Sequence, residues 1–327
     1  MAEAAAKAHV NIALVKYWGK RDERLNLPVN GSISMTLQQF YTVTRVRFNP
    51  SLAQDQLIIN EEYASEEQRR RISAYLDRLR VAAKSSAYAS VESSNYVPTG
   101  AGLASSASAF AALALAAAQA LDLHYSPREL SRWARLGSGS AARSIYGGFV
   151  EWLRGSAPDG SDSYAVPLFD GGYWDVRVVV AIVGEGVKSV SSRDGMRRVV
   201  ATSPFYEGWR QTVEADLARV REALQQRDMA KLGEAAEANA LKMHATLLGA
   251  SPPFIYWCGA TIEVIRRIWD LRRQGVPAYV TIDAGPHVVV LCEKSGQAAV
   301  CEALSRIEGV AEVVSSELGP DAALVEL

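Results

Sequence analysis

Residues Pro98-Thr-Gly-Ala-Gly-Leu-Ala-Ser-Ser-Ala-Ser-Ala-Phe110 set a glycine and serine turn directly before a long, uncharged, alanine-rich run. That order is the sequence form of a helix N-terminus open to an anion. The unpaired N–H groups of a first helical turn, and the helix dipole, both point at whatever sits there. Gly100 and Gly102 let the backbone come close to it, and Ser105, Ser106 and Ser108 add hydroxyl donors. A phosphate-bearing ligand is the expected occupant.

At 327 residues the chain is long enough for a full core and, at roughly 100–200 residues per domain, for about two domains. Lys plus Arg number 35 against 36 Asp plus Glu, so no global basic field of the kind nucleic-acid binding needs is present. An anion must be met by local groups. Cys258, Cys292 and Cys301 form no CxxC pair, and His9, His124, His244 and His287 are scattered without ligand spacing. Neither a zinc site nor a disulfide frame is expected. Met1 to Lys7 lacks an apolar signal core, and Ala107 to Ala118 falls short of the ~20 residues of a membrane span. These features predict a soluble cytoplasmic protein with no membrane or nucleic-acid partner.

Val10 to Val15 reads as a strand, Gly19 to Gly31 as a loop, and Ser32 to Phe48 as alternating, β-branched strand. Ser65-Glu-Glu-Gln68 is a capping box opening a charged helix to about Lys84, and Ala87 to Glu92 is a further strand. Ser126-Pro-Arg-Glu129 is a second capping box, with proline at the first helical position. Gly137-Ser-Gly-Ser-Ala-Ala-Arg-Ser144 reads as a second small-residue turn into an anion-receptive helix, and Gly147 to Trp152 as a strand. Tyr173 to Val183 is a strongly apolar strand, followed by helices over Pro204–Gln226, Asp228–Leu248 and Tyr256–Gln274. Strands Ala278–Asp283 and Val288–Cys292, helix Gly296–Ile307 and strand Ala311–Ser315 close the chain. Grouped helices beside antiparallel-looking strands predict an α+β architecture with two domains, 1–185 and 186–327. A doubly wound nucleotide-binding fold is disfavoured, because the glycine turn matches neither GxGxxG with its later acidic residue nor a P-loop.

Three segments together say more than any one: Asn11-Ile-Ala-Leu-Val-Lys-Tyr-Trp-Gly-Lys-Arg-Asp22 with Leu25-Asn-Leu-Pro28, the glycine-serine turn, and Tyr279-Val-Thr-Ile-Asp-Ala-Gly-Pro-His287. Over almost its whole length the chain resembles the mevalonate diphosphate decarboxylase family, including the related phosphomevalonate decarboxylases, within the GHMP kinase superfamily. The resemblance implies a ribosomal protein S5 domain 2-like N-terminal domain that binds ATP and a ferredoxin-like α/β sandwich at the C-terminus. It also implies ATP and Mg2+ as cofactors, the metal carried by the ATP phosphates, and a homodimer. The reaction implied is ATP-dependent conversion of (R)-5-diphosphomevalonate to isopentenyl diphosphate, CO2, ADP and phosphate, a step of isoprenoid biosynthesis by the mevalonate pathway. A 5-monophosphate substrate, or use of both, stays open. So do a small-molecule kinase that stops at the phosphorylated product and a non-catalytic nucleotide sensor.

Candidate residues follow from the same segments, each with an ordinary alternative. Asp283, where an apolar strand ends in a Gly-Pro turn, suits a general base, whereas a lone Asp before Gly-Pro usually caps its turn. Lys16 at a strand end resembles the family's cation beside that aspartate, whereas most lysines are solvated. Arg143 suits a substrate carboxylate, which a guanidinium grips through two parallel bonds. By the resemblance, Ala13, Tyr17, Lys20, Arg71, Ser138, Ser140 and Met196 line the substrate pocket. Ser93, Asn95, Gly100, Gly102, Ala104, Ser105, Ser106 and Ser108 lie at the nucleotide. Arg71 belongs to the run Arg69-Arg-Arg71, which could equally be a solvated helix face. His244, amid apolar helix residues, reads as a core group, Trp18 and Trp257 as packing, and His287 stands where relatives commonly carry asparagine.

Overall fold

The computed structural model describes residues 2–97, 105–184 and 190–326. Its first sheet is built on β1 (Ala2–Val15). A small ribbon of β2 (Lys20–Asp22) and β3 (Leu27–Pro28) then sits inside the expected loop. The long strand β4 (Ser32–Asn49) follows. β1 and β4 pair antiparallel from Ala2↔Phe48 to Val15↔Ile33, so the expected strand at Val10 begins eight residues earlier, at Ala2. Bulges between His9 and Asn11 and between Ala13 and Val15 bend the end of β1, the segment that carries Asn11, Ala13 and Lys16. β5 (Gln56–Ile59) and β6 (Glu62–Tyr63) precede helix α1 (Glu66–Ala83), which opens on the expected Ser65–Gln68 capping box. β7 (Tyr88–Tyr96) then pairs antiparallel with β4 and parallel with β5.

Helix α2 (Ser105–Ala120) is the alanine-rich run, and Ala107, Ala111, Ala112, Ala114, Ala116 and Ala117 are all wholly buried. Alanine loses no side-chain entropy in a helix and lets its axis lie close to the sheet, here against β1 and β4. α3 (Pro127–Gly137) begins on the second capping box, with Pro127 in its first turn as expected. The small-residue segment after it differs from expectation. Gly139–Ile145 is a seven-residue 3-10 helix, and the Ser138 side chain caps nothing. With i→i+3 bonds and about two tight turns, it buries Arg143 and Ser144 rather than opening an α-helical mouth. β8 (Phe149–Trp152) pairs with β4, and β9 (Ala165–Phe169) with β8.

β10 (Val176–Val183) starts a second sheet. The passage between sheets falls between Phe169 and Val176, upstream of residue 185, because all eight β10 residues are buried and the strand lies between two partners. Helix α4 (Ser192–Thr202), which no apolar period had suggested, opens the helical block. α5 (Tyr206–Gln226), α6 (Met229–Leu248) and α7 (Gly259–Arg273) follow where expected, with ends shifted by at most three residues. β11 (Ala278–Thr281), β12 (Val288–Glu293), α8 (Lys294–Ser305) and β13 (Val310–Ser316) complete the sheet, ordered β11-β12-β10-β13. The last strand, β14 (Ala323–Val325), was not foreseen. It returns to the first sheet and pairs with β1, Ala5 opposite Val325.

Alternation along β10 sorts the core into layers. Val178, Val180 and Ile182 face a cluster shared with Ile12 and Leu14 of β1 and with Val213, Leu217, Leu232 and Met243 of α5 and α6. Val179, Ala181 and Val183 face the opposite cluster, with Val264 and Ile268 of α7 and Val300 and Leu304 of α8. Helices α5 and α6 therefore lie between the two sheets. The ends of β1 and β11 meet beside them.

The edge of the first sheet is held by a buried ion pair. Arg80 of α1 donates from both terminal nitrogens to the two oxygens of Asp55, at 2.9 Å each, and Ala89 N donates to Asp55 Oδ1 at 2.7 Å. Burial alone would raise the Asp55 pKa. The bonds from Arg80 and Ala89 outweigh it and hold the carboxyl below its usual range. Arg80 keeps a second carboxylate, Asp77 at 2.6 Å, so we expect Asp55→Ala to destabilise the protein by about 1–3 kcal/mol, the cost of leaving Ala89 N and part of the guanidinium without an acceptor. Denaturant unfolding reads this, and a loss below about 1 kcal/mol contradicts it. Because the folded pKa is the lower one, the contribution is complete above the ordinary carboxylate range and is lost as pH falls through the depressed value.

Candidate active site

Lys16 follows directly on β1, and Asp283 lies two residues beyond β11. Although 267 positions separate them in sequence, Lys16 Nζ donates to Asp283 Oδ1 at 2.6 Å. The lysine is 2% exposed and the aspartate 33%, so the ammonium sits behind the carboxylate and the carboxylate fronts solvent. Lys16 Nζ also donates to Ala13 O at 2.7 Å, an oxygen that Thr281 Oγ1 reaches at 3.1 Å, which ties the two strand ends together. The solvated reading of Lys16 is thereby excluded. The turn-capping reading of Asp283 fails too, because Gly285 N closes that turn on the Asp283 backbone oxygen at 2.7 Å and leaves the side chain free for Lys16. Burial lowers the Lys16 pKa, and Asp283 opposes the shift.

Arg143, on the 3-10 helix, is 2% exposed. Its Nε and Nη2 donate to Asn11 Oδ1 at 3.1 and 3.0 Å, and its Nη1 to Ser32 Oγ at 2.6 Å. Those partners are neutral. Burial lowers its pKa to about 10, with Asp283 and Tyr17 pulling the other way. A buried guanidinium held by neutral oxygens, with one carboxylate nearby that is already bonded to Lys16, carries charge that an incoming anion would balance. Asn11 orients it and in turn donates to Ser140 O at 3.0 Å and Ser144 Oγ at 2.7 Å.

Tyr17 packs edge-on against Trp152, ring centres 4.8 Å apart, and its buried hydroxyl has no partner among the described residues. Burial raises its pKa. Gly139 lies so close that an added Cβ would stand 2.8 Å from the Tyr17 ring, which is why the small-residue turn needs glycine there. Lys20 bonds Glu23 at 3.0 Å and burial lowers its pKa. Arg71 donates to Gly137 O at 3.0 Å and lies over the Phe110 ring, so its guanidinium is turned toward the small-residue turn while the residue stays exposed. Arg193, at the start of α4, acts electrostatically on Tyr17, Lys20 and Arg71 together. The sequence reading passed over Arg193, since nothing in its segment marked a helix. It also passed over Asn11, although Asn11 opens one of the quoted segments, and over Ser32.

Ser106 Oγ lies 3.3 Å from Ser138 Oγ, which brings the start of α2 beside the 3-10 segment. No acidic residue stands in the first turn of α2. Gly100, Gly102 and Ala104 lie outside the described residues. Ser108 is fully buried and bonds Ser105 O and Thr42 Oγ1 at 3.1 and 2.8 Å, so its hydroxyl supports the helix instead of facing a ligand. Ser93 and Asn95 accompany the same strand pairing, bonded to Thr44 at 2.9 Å and Thr42 at 2.9 Å. Met196 is buried in the core between the sheets, and Ala13 contributes its carbonyl. His244 is buried against Trp257 and 3.3 Å from Ile282 O, as expected of a core group. His287 Nδ1 accepts from Val183 N at 3.1 Å, which anchors the Asp283 turn to the end of β10.

A two-sheet α+β fold with a carboxylate-ammonium pair, a buried arginine and a basic rim at the sheet junction defines an enzyme of the GHMP kinase type. Residues 8–165 match the diphosphomevalonate decarboxylase-like N-terminal domain, and residues 178–319 match the mevalonate 5-diphosphate decarboxylase C-terminal domain. A diphosphomevalonate decarboxylase of Candida albicans is 34% identical, over 98% of this chain and 97% of its own length. The crystal structure of mevalonate diphosphate decarboxylase from Staphylococcus aureus superposes with a TM-score of 0.94 at 45% identity, covering 99% of this chain and 98% of that one. A solved complex of MDDEF with MVAPP, AMPPCP and magnesium gives 0.93 at 44% identity, covering 99% of both chains. The chain belongs to the mevalonate diphosphate decarboxylase family. Among the described residues no helix is long and apolar enough to cross a membrane.

Burial lowers the His244 pKa from 6.5 to about 4, and the nearby Lys16 ammonium adds to the shift. The unfolded chain therefore binds one more proton between these values, so stability falls as pH is lowered from about 6.5 to about 4. The slope from one proton is up to about 1.4 kcal/mol per pH unit. Denaturant midpoints across this window should lose that component in His244→Gln; identical slopes for both proteins would rule the assignment out.

Proposed function

We propose that the chain catalyses ATP-dependent decarboxylation of (R)-5-diphosphomevalonate, giving isopentenyl diphosphate, CO2, ADP and phosphate. The observation that carries this reading is the 2.6 Å Lys16–Asp283 pair beside a buried Arg143 that lacks an ion pair among the described residues. It is supported by family membership and by close relatives of that name. The solved complex of the neighbour MDDEF with MVAPP, AMPPCP and magnesium supports ATP and Mg2+. Cytoplasmic location, read from the sequence's lack of a signal core or span, and a homodimer, taken from the family resemblance, belong to the same reading.

The residues present suit those ligands. Tyr17 OH is a buried, unpartnered polar atom, and the Lys20, Arg71 and Arg193 rim gathers cations around it. Bound ATP with Mg2+ supplies the phosphoryl group that turns a tertiary hydroxyl into a leaving group. Asp283 takes the proton from that hydroxyl, and Lys16, bonded to Oδ1 at 2.6 Å, holds the carboxylate in place. Arg143 grips the substrate carboxylate through two parallel bonds until the C–C bond breaks. Lys20, Arg71, Arg193, Tyr17, Ser138 and Ser140 hold the phosphate end, Met196 shapes the apolar wall, and Ser105 and Ser106 offer donors at the mouth of α2. Ser93 and Asn95 stand at the nucleotide.

The kinase alternative is disfavoured by Arg143, since phosphoryl transfer alone needs no carboxylate fork. We expect Asp283→Asn to lower kcat by about 10²–10⁴-fold, the range for losing a general base, while ATP affinity measured by calorimetry stays within about twofold. Arg143→Lys keeps the charge and loses the fork, so the CO2 to ADP ratio should drop below one. ADP without CO2 from the unaltered protein and diphosphomevalonate would refute decarboxylation. Competition between the 5-monophosphate and 5-diphosphate in one assay fixes the substrate; preference for the monophosphate overturns the diphosphate assignment.

A further inference from the structure

Lys16 is gripped by its backbone as well as by its side chain. Beyond Val15 the β1 ladder ends, and Lys16 N donates instead to Asn239 Oδ1 at 2.8 Å. Asn239 comes from α6, is wholly buried, and donates from Nδ2 to Asp216 Oδ2 of α5 at 2.7 Å. Lys242 closes the chain by donating to the same Asp216 oxygen at 2.6 Å and to Thr212 Oγ1 at 2.8 Å. On the other side, Asn30 Nδ2 donates to Lys16 O at 2.9 Å.

The amide of Asn239 thus reads two opposite demands at once, accepting from the Lys16 N–H and donating to the Asp216 carboxylate. Apolar replacement would leave a buried N–H and a buried carboxylate each short of a partner. A strand end that has left its ladder depends on side-chain partners for its backbone groups, and Asn239 is the one that takes the Lys16 N–H. Asp283 is carried by the second half of the chain, as Asn239 is, so the amide sets where the N-terminal cation meets the C-terminal carboxylate.

We propose that Asn239, backed by Asp216 and Lys242, is a positioning residue that sets the Lys16–Asp283 distance. The inference rests on Lys16 and Asp283 acting together in turnover. Displacing a catalytic pair by about 1 Å costs up to about 100-fold in rate, whereas Asn239 itself is wholly buried and fronts no solvent. Asn239→Ala should therefore lower kcat by about 10–100-fold while KM for diphosphomevalonate and ATP stays within about twofold.

The decisive variant exchanges the partners. Asn239→Asp alone opposes two carboxylates across 2.7 Å and should lose turnover most as pH rises. Combined with Asp216→Asn, it restores an acceptor for Lys16 N and an amide donor behind it, while Lys242, 35% exposed, gives up its bond to residue 216 for solvent and Thr212. That double variant should recover most of the lost kcat and the wild-type pH profile. If folded Asn239→Ala keeps wild-type kcat, or if the folded double variant recovers nothing over Asn239→Asp, the proposal is wrong. Where Asn239→Ala fails to fold, the exchange pair alone decides. Lys16→Ala run in parallel separates the two claims: full activity there overturns the role of Lys16 itself, independently of Asn239.

Discussion

A buried ammonium needs a counter-charge, and the carboxylate that Lys16 finds comes from the far half of the chain. Nζ and Oδ1 meet at 2.6 Å only because β1 and β11 end at the same place, beside α5 and α6. Removing a lysine from water costs several kcal/mol unless it is paired and hydrogen-bonded. Here Ala13 O and Asp283 supply both requirements. The remaining features serve that junction: bulges bend the end of β1, Thr281 shares the Ala13 carbonyl, and His287 ties the Asp283 turn to β10.

Around the pair, charge is distributed by depth. Arg143 is buried like Lys16 and held by Asn11 and Ser32 so that its charge stays available, while Lys20, Arg71 and Arg193 form an outer rim. A ligand with a carboxylate at one end and phosphate at the other matches that gradient. Neutral supports matter as much as charges, because a carboxylate in place of Asn11 would neutralise Arg143 before any substrate arrived.

Much of this was legible in the sequence, for local reasons. Capping boxes at Ser65 and Ser126 marked helix starts because cap chemistry involves residues only three apart. The segments holding Lys16, Arg143 and Asp283 could be identified through family resemblance, and the α+β class through grouped elements. What escaped depended on distant partners. The 3-10 winding of Gly139–Ile145 follows from packing against β1, β8 and α3, which no local pattern states. Ser108 carried the same signal as Ser106, and only burial separates a supporting hydroxyl from a facing one. Arg193 is an exposed residue of α4 that meets Tyr17, Lys20 and Arg71 only in the fold, and Asn239 belongs to a helix that reads as ordinary core.

The return of β14 to the outer edge of β1 has a consequence for how the molecule is made. Ala5, Ala6 and Lys7 wait unpaired on that side until Ala323, Leu324 and Val325 have left the ribosome. Throughout translation of everything between, the first strand presents an open row of backbone donors and acceptors, a template to which stray strands can add. Those three residues therefore act as a late seal on that edge.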